Sequence, residues 1–465
     1  MADLNRPEPK AQLSVFDAVV MMVGLVVGIG IFRTPSIVAG GVSSEWMFVL
    51  VWIVGGLITL IGALCYAELA SSHPHAGGEY HFLSQAYGKP VAIIFGWARC
   101  TIIQTGSIAL VAFLLGDYLA QVVPIGPHGP ALYAALSVIV LTVVNIVGTT
   151  EGKRLQIVVT FIQLGAMAAI ILFGFMGSPG PVELSAPAVE PQTAALGLAM
   201  IFVLLTYGGW TDASYLSGEL HDAPRNIAKV LTLGTVIIVT IYVLTNMALL
   251  SILGLEGLRS SDAVAADMML VVAGPSGELL VTLAIVVAAI STLNATLFTG
   301  ARVFHVMGRD IPAFRWVGVW NQRGGNPVNA QIVQGGMALT LIGVGSMAPD
   351  GFSAMVDYTA PVFWAFLLMV GGSLFVLRRR HPHQARPFKV PLYPLTPILF
   401  CMTCVYMLYA SVMHTGAAAL FGLGVLLAGV PILLFRRLQP AGAPRHTLLM
   451  EAPLAQRPQS PGNPS

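Results

Sequence analysis

Runs of about twenty apolar residues recur along nearly the whole chain, each long enough to cross a hydrocarbon core of about 30 Å as a helix. Twelve are read, at 14–39, 46–71, 90–120, 130–148, 154–177, 194–220, 228–254, 276–306, 329–347, 353–377, 392–413 and 416–435. A length of 465 residues by itself suggests two or three soluble domains, but 56% hydrophobic and only 9% charged residues overrule it. The fold class is an all-α membrane protein with 12 transmembrane helices.

Charge tests that count, because Lys and Arg accumulate on the cytoplasmic side of a correctly counted topology. With the N terminus inside, every one of the 23 Lys and Arg residues except Arg33, Arg99 and Arg259 falls on the inner side. Dropping any one run would scatter them over both faces. The reading is therefore an even number of spans in a cell membrane, with both termini cytoplasmic. The net charge of +2 follows topology and forms no basic patch, which excludes nucleic acid as a partner.

All four cysteines, Cys65, Cys100, Cys401 and Cys404, fall inside apolar runs. Cys401 and Cys404 have zinc-site spacing but no nearby histidine, so all four read as small buried hydrophobes, and no metal, cofactor or disulfide framework is expected. The N terminus is polar and lacks a small-residue cleavage site, so the first run is expected to be retained. Outer loops are short and leave no room for a soluble catalytic unit; an enzyme is not expected. The segment "AGGEYHFLSQAYGKP", 76–90, reads as a short helix lying at the membrane interface.

Two runs are interrupted. "GLVVGIGIFRTP", Gly24 to Pro35, places three glycines, an arginine and a proline in the first, and "TYGGWTD", Thr206 to Asp212, places paired glycines and a polar pair midway through the sixth. Each break lies about the same distance into its run, and each run opens one half of a five-plus-five arrangement. Helix breaks at corresponding positions of two halves point to the central site of a transporter. Unwound backbone survives in a membrane only where it lines a cavity or meets a ligand. Gly24 and Gly28 also make a small-xxx-small pair suited to close helix packing, a reading that leaves Arg33, Pro35 and the second break unexplained. "GIGIFR" is no dinucleotide fingerprint, because it lacks the third glycine.

With "VGIGIFRTP", "YAELASSHPHAGGEYHFL", "IIQTGSIALVAFLLGDYL", "TYGGWTDASYLSGELHDAPRNIAKVL", "LNATLFTGARVFHVMGRDIPAF" and "LFVLRRRHPHQARPFKVPLYP" in this order, the chain resembles the amino acid, polyamine and organocation transporter superfamily. Within it, the likeness is to the L-type amino acid transporters and bacterial amino acid permeases. The resemblance implies a LeuT-like 5+5 inverted repeat with discontinuous helices 1 and 6. The organisation expected is a cytoplasmic segment 1–13, a ten-helix core 14–378, a cytoplasmic loop 379–391, two peripheral helices 392–437 and a disordered tail 438–465. It also implies alternating-access transport of amino acids.

On that view the amides of Gly28, Ile29 and Gly30, with Ile31 beside them, hold a substrate carboxylate at the positive end of a half helix. Carbonyls near Val26, Val27, Leu205 and Gly208 hold the ammonium, and Tyr207 and Trp210 wall or gate the pocket. Leu205 stands where many relatives have a gating aromatic, and Gln163 where many have a lysine that replaces a sodium ion. Ser291 and Thr292 are candidate oxygen ligands for sodium, or else bond back to their own helix. The relatives' partner-bonding cysteine has no counterpart in the outer loop "QVVPIGPHGP", so no disulfide-linked heavy subunit is expected.

Three charges inside the apolar runs, Arg99, Asp212 and Glu68, are costly unless paired or wetted. Arg99 pairs with Asp212 or Glu68 as a structural bridge, or one of the two carboxylates carries protons for H+ coupling. Arg33 attracts anionic groups or snorkels outward, and Glu219 and Arg225 mark the inner mouth of the sixth run. The leading function is an amino acid exchanger or Na+- or H+-coupled symporter, neutral amino acids being the substrates, with the lipid bilayer as its surroundings. A polyamine or other organic amine permease of the same fold is the nearest alternative. A channel lacks a filter-like repeat, and a membrane enzyme lacks a nucleophile with a base.

Overall fold

The computed structural model describes residues 13–433 except 76, 148–151, 178–194, 219, 262, 311–313, 322–325 and 432. Segment 1–12, Glu219 and the tail 438–465 therefore lie outside the described residues. Within them all regular secondary structure is helical, apart from two isolated bridges, Leu13 with Leu220 and Asn321 with Asn326. The helices are α1 (Val15–Val26), α2 (Thr34–Gly40), α3 (Glu45–Ser72), α4 (Gly78–Tyr87), α5 (Lys89–Ala98), α6 (Thr105–Val122) and α7 (Gly129–Val147). They continue with α8 (Gly152–Met176), α9 (Ala195–Thr206), α10 (Ala223–Ser260), α11 (Val264–Asp310), α12 (Val328–Gly345), α13 (Gly351–Arg380) and α14 (Leu395–Leu427).

Ten helical stretches among the described residues are long and apolar enough to cross a membrane, and the first run instead folds as the shorter α1 and α2. Large apolar side chains face outward in bulk, among them Leu132, Leu136 and Val143 on α7 and Met402, Val405 and Met413 on α14. Contiguous apolar surface of that extent requires a non-aqueous surrounding. This is a multi-pass membrane protein.

Local chemistry sets several boundaries. Ser14 caps α1 with a reciprocal capping box: its Oγ accepts from the Asp17 amide at 3.1 Å, and its own amide donates to the Asp17 carboxylate at 3.1 Å. Ser44 and Asp350 cap α3 and α13 by accepting from the amides of Met47 and Phe352. Runs seven and eight, read to end at 254 and begin at 276, meet kinks inside α10 and α11, at Gly254 (φ 64°) and at Gly274 (φ 67°) before Pro275. Residues 255–260 and 264–273 on either side of the junction are helical rather than loop.

The division expected between the eleventh and twelfth runs, at 413–416, falls inside α14, which is assigned as one helix over 33 residues. No loop marks a boundary between the two expected peripheral helices there. The early part of α14 packs by Phe400 against Gly371 on α13, and its later part reaches Trp97, whose Nε1 donates to the Val425 carbonyl at 2.8 Å. The interior is one extensive apolar cluster, with a smaller one around Ile93, Phe304 and Val317.

Candidate functional site

Both interrupted runs are broken in the structure. α1 stops at Val26; Val27 and Gly28 leave helical geometry, a 3-10 turn covers Ile29–Phe32, and α2 starts at Thr34. α9 stops at Thr206, a turn covers 207–209 with Gly209 at φ 92°, and a 3-10 segment runs from Trp210 to Gly218. That φ suits glycine because a Cβ would be strained there.

The two breaks lie against each other. Thr34 and Thr206 share a hydroxyl hydrogen bond of 2.7 Å. A Cβ placed on Gly30 would lie 3.6 Å from the Thr206 hydroxyl, and one on Gly209 would lie 3.5 Å from the Leu25 carbonyl. The two glycines of the small-xxx-small pair do different things. A Cβ on Gly24 would lie 2.2 Å from Thr160 Oγ1 on α8, so Gly24 is a packing glycine; one on Gly28 meets nothing closer than the Val26 carbonyl at 3.7 Å.

Some backbone groups at the breaks are already engaged. The Val26 carbonyl accepts from the Tyr242 hydroxyl at 2.7 Å and from the Gly28 amide at 2.5 Å. The Leu205 carbonyl accepts from the Gly208 amide at 2.9 Å. These two carbonyls and the Gly28 amide thus serve the break itself. The amides of Ile29 and Gly30 open the 3-10 turn, and Ile31 is fully buried behind them. Of Ile29 only the backbone is described.

The aromatic pair flanks the second break on different neighbours. The Tyr207 hydroxyl donates to the Trp52 carbonyl at 3.1 Å, and its ring packs between Trp52 and Tyr242, so it braces the break from the α3 side. Trp210 stands edge-to-face with Tyr66 at 4.8 Å and with Phe400. Leu205 is half-buried against the main core. On α11, Thr292 lies beside the first break, its Cγ2 being 3.9 Å from a Cβ built on Gly28, and Ser291 is its half-buried neighbour. Gln163 on α8 is 3% exposed, and its Nε2 has no hydrogen-bond partner, so it does not bridge α1 to α11 by donating from that atom.

The intramembrane charges sort into two clusters. Arg99 opens a π-helical turn, Arg99–Gln104, between α5 and α6, and its guanidinium pairs with Asp212 and, at 3.4 Å, with Glu79. Glu68 is not its partner. Glu68 instead takes two hydrogen bonds from Arg378, at 2.7 and 2.6 Å, and one from the Val390 amide at 2.7 Å, with Arg386 at 3.7 Å. The reason is reach: Glu68 lies in the last turn of α3, beside the loop after α13, whereas α4 delivers Glu79 to Arg99. Glu79 was missed because its segment reads as an interfacial helix. The signal available was Gly77–Gly78 directly before it, which lets the start of α4 approach Ser214 and Tyr215.

The bundle ends differ. At one, the Leu13 carbonyl accepts from the His221 amide at 3.1 Å, while Ser217 Oγ accepts from the His75 amide and donates to its carbonyl. At the other, a cavity of about 390 Å³ is lined by Arg33, Phe113, Asp117, His128 and Asp350, with Arg33 3.9 Å from Asp350. This cavity lies beyond the first break, not between the two.

A helical bundle in an apolar surrounding, with two broken helices meeting inside it, defines the class: a multi-pass membrane protein with unwound backbone at its centre. The chain belongs to the amino acid permease family, whose sequence profile matches residues 13–430. It is similar to the serine/threonine exchanger SteT of Bacillus subtilis (strain 168), 27% identical over 433 residues that cover 91% of this chain and 96% of that one. It is also similar to the b(0,+)-type amino acid transporter 1 of Mus musculus, 26% identical over 423 residues, 89% of this chain and 85% of that one. A third relative is the large neutral amino acids transporter small subunit 2 of Oryctolagus cuniculus, 26% identical over 436 residues, 91% of this chain and 80% of that one. As its name states, this last relative is one subunit of an assembly, which weakens the expectation that the present chain has no bonded partner.

Proposed function

We propose that this protein is a secondary transporter of neutral amino acids, working by alternating access in a cell membrane with both termini cytoplasmic. The observation that carries the proposal is the adjacency of the two helix breaks, joined through Thr34 and Thr206. An α-amino acid presents a carboxylate and an ammonium a few ångströms apart, and two helix ends with opposite dipoles supply partners for both. The Ile29 and Gly30 amides serve the carboxylate. The carbonyls of Val27, Leu205 and Gly208 serve the ammonium, while that of Val26 already accepts two hydrogen bonds. Family membership and relatives named as amino acid transporters support the substrate class.

The architecture proposed with it is twelve spans in a five-plus-five inverted repeat, over the core 14–378 and the peripheral pair 392–437. Thr292 and Ser291 are the groups from which a Na+ site beside the first break would be built. Operation without a disulfide-linked subunit is supported by the cysteines: Cys65, Cys100 and Cys404 are buried, and Cys401 is half-buried on α14.

The test is exchange in proteoliposomes of purified full-length protein, with labelled L-serine and L-leucine and with Na+ and H+ gradients imposed separately. Saturable uptake stimulated by internal amino acid is expected. Equal competition by amines lacking a carboxylate would transfer the protein to the organic amine class, and conductance far above conformational cycling would make it a channel.

A further inference from the structure

The Arg99 cluster contains one cation and two carboxylates. Arg99 is 6% exposed and Glu79 4%, while the Asp212 side chain is 36% exposed. With both carboxylates ionised the cluster holds one negative charge in excess, and the buried member is the one least able to recover water as compensation. Tyr66 and Tyr215 donate to the two oxygens of Glu79 at 2.7 and 3.3 Å. Two polar atoms at the cluster stay unused: Arg99 Nε and Ser214 Oγ are buried without partners, and the Ser214 hydroxyl lies 2.9 Å from where a Cβ on Gly78 would be.

We propose that Glu79 is a proton-binding site, taking up one proton from the face of the bundle at which α4 lies and linking it to movement of the broken sixth span. The inference rests on the transporter reading above. The linkage runs through contacts: Tyr66 bonds Glu79 with its hydroxyl and packs its ring on Trp210, while Arg99 joins Glu79 to Asp212, two residues beyond Trp210. A proton on Glu79 cancels the excess charge and releases part of the hold of Arg99, so the 3-10 segment is gripped differently in the two protonation states.

Among the described residues, no other charged group near Glu79 supplies the compensation. α5 carries only Lys89 at its far end, and α13 meets the opposite end of α4, where Arg380 donates to the Gln85 carbonyl and Tyr87 to the Met369 carbonyl. On α4 itself His81 stacks on His75. Burial holds the Glu79 carboxyl above its usual range, against the opposing pull of Arg99 and the Tyr66 hydrogen bond.

Infrared titration of the full-length protein in lipid, from about pH 8 to about pH 5, reads the site directly through a protonated-carboxyl band. A component of that band is expected in the wild type and lost in Glu79→Gln. Tyr66→Phe removes a donor to the carboxylate and should raise its midpoint; Asp212→Asn removes the competing negative charge and should lower it. In proteoliposomes, the ratio of L-serine uptake with an inward proton gradient to uptake at equal pH should be severalfold in the wild type and fall to unity in Glu79→Gln. A ratio does not depend on how much variant folds. Absence of that component in the wild type, an unmoved midpoint in both other variants, or a ratio unchanged by Glu79→Gln would each overturn the proposal. A wild type that carries no amino acid would sink the transporter reading, while the infrared titration would still decide the proton site.

Discussion

The hydroxyls of Thr34 and Thr206, 172 residues apart in sequence, lie 2.7 Å from each other and join the resumption of the first broken helix to the end of α9. A hydrogen bond of this kind contributes about 0.5–1.5 kcal/mol, so Thr34→Val and Thr206→Val should each weaken substrate affinity several-fold. Because they share one bond, the double mutant should cost less than the sum of the two. Strict additivity of the binding energies would show that the breaks are not coupled through this pair.

The glycines of the first break separate packing from binding. Gly24→Leu forces a side chain into Thr160 and should destabilise by about 1–3 kcal/mol, visible as a lower unfolding temperature in detergent. Gly28→Leu meets no such wall, so it should leave the unfolding temperature nearly unchanged and abolish L-serine exchange. A Gly28→Leu variant that transports normally would remove this break from the site.

Glu68→Ala would leave Arg378 and Arg386 facing one another with no carboxylate and strip the Val390 amide of its acceptor. Breaking a buried pair from one side costs about 3–5 kcal/mol, and the partial exposure of Arg378 places this case at the lower end. Thermal unfolding of the purified variant checks it; a shift no larger than that of a surface substitution would mean the contact carries little.

His81 has its imidazole pKa lowered to about 4 by burial and by the neighbouring His75 and His73. The unfolded chain protonates this group near pH 6.5 and the folded chain only near pH 4, so its contribution is neutral above pH 6.5 and turns destabilising as pH falls through that window. His81→Gln should flatten the acid side of the unfolding-temperature profile between those values. An unaltered profile would place the acid sensitivity elsewhere.

How much of this was legible in the sequence divides by distance along the chain. Breaks at Gly28 and Gly209 are local consequences of glycine-rich backbone in an apolar run, and both were readable. Membrane-span periodicity is equally local, and the kinks at Gly254 and Gly274 fall where the runs were read to end and begin. Partnerships between elements were readable only in part: the bridge from Arg99 to Asp212 was one of two expected pairings and is found, whereas others were not. Glu68 finds Arg378 across 310 residues, and Tyr242 caps Val26 across 216, with no pattern in either segment to announce it. Glu79 was hidden for a different reason: a carboxylate in a short interfacial helix reads as solvent-facing, and it is buried where α4 packs among α5, α13 and the 3-10 segment after Trp210.

The anchoring of Arg378, Arg386 and Val390 on Glu68 also bears on α14. Through that single carboxylate, the stretch between α13 and α14 is latched to the end of α3, and Phe400 sits close to both Gly62 on α3 and Gly371 on α13. When α3 tilts, the base of α14 must tilt with it, which makes the outlying helix a lever arm of the bundle rather than a passenger.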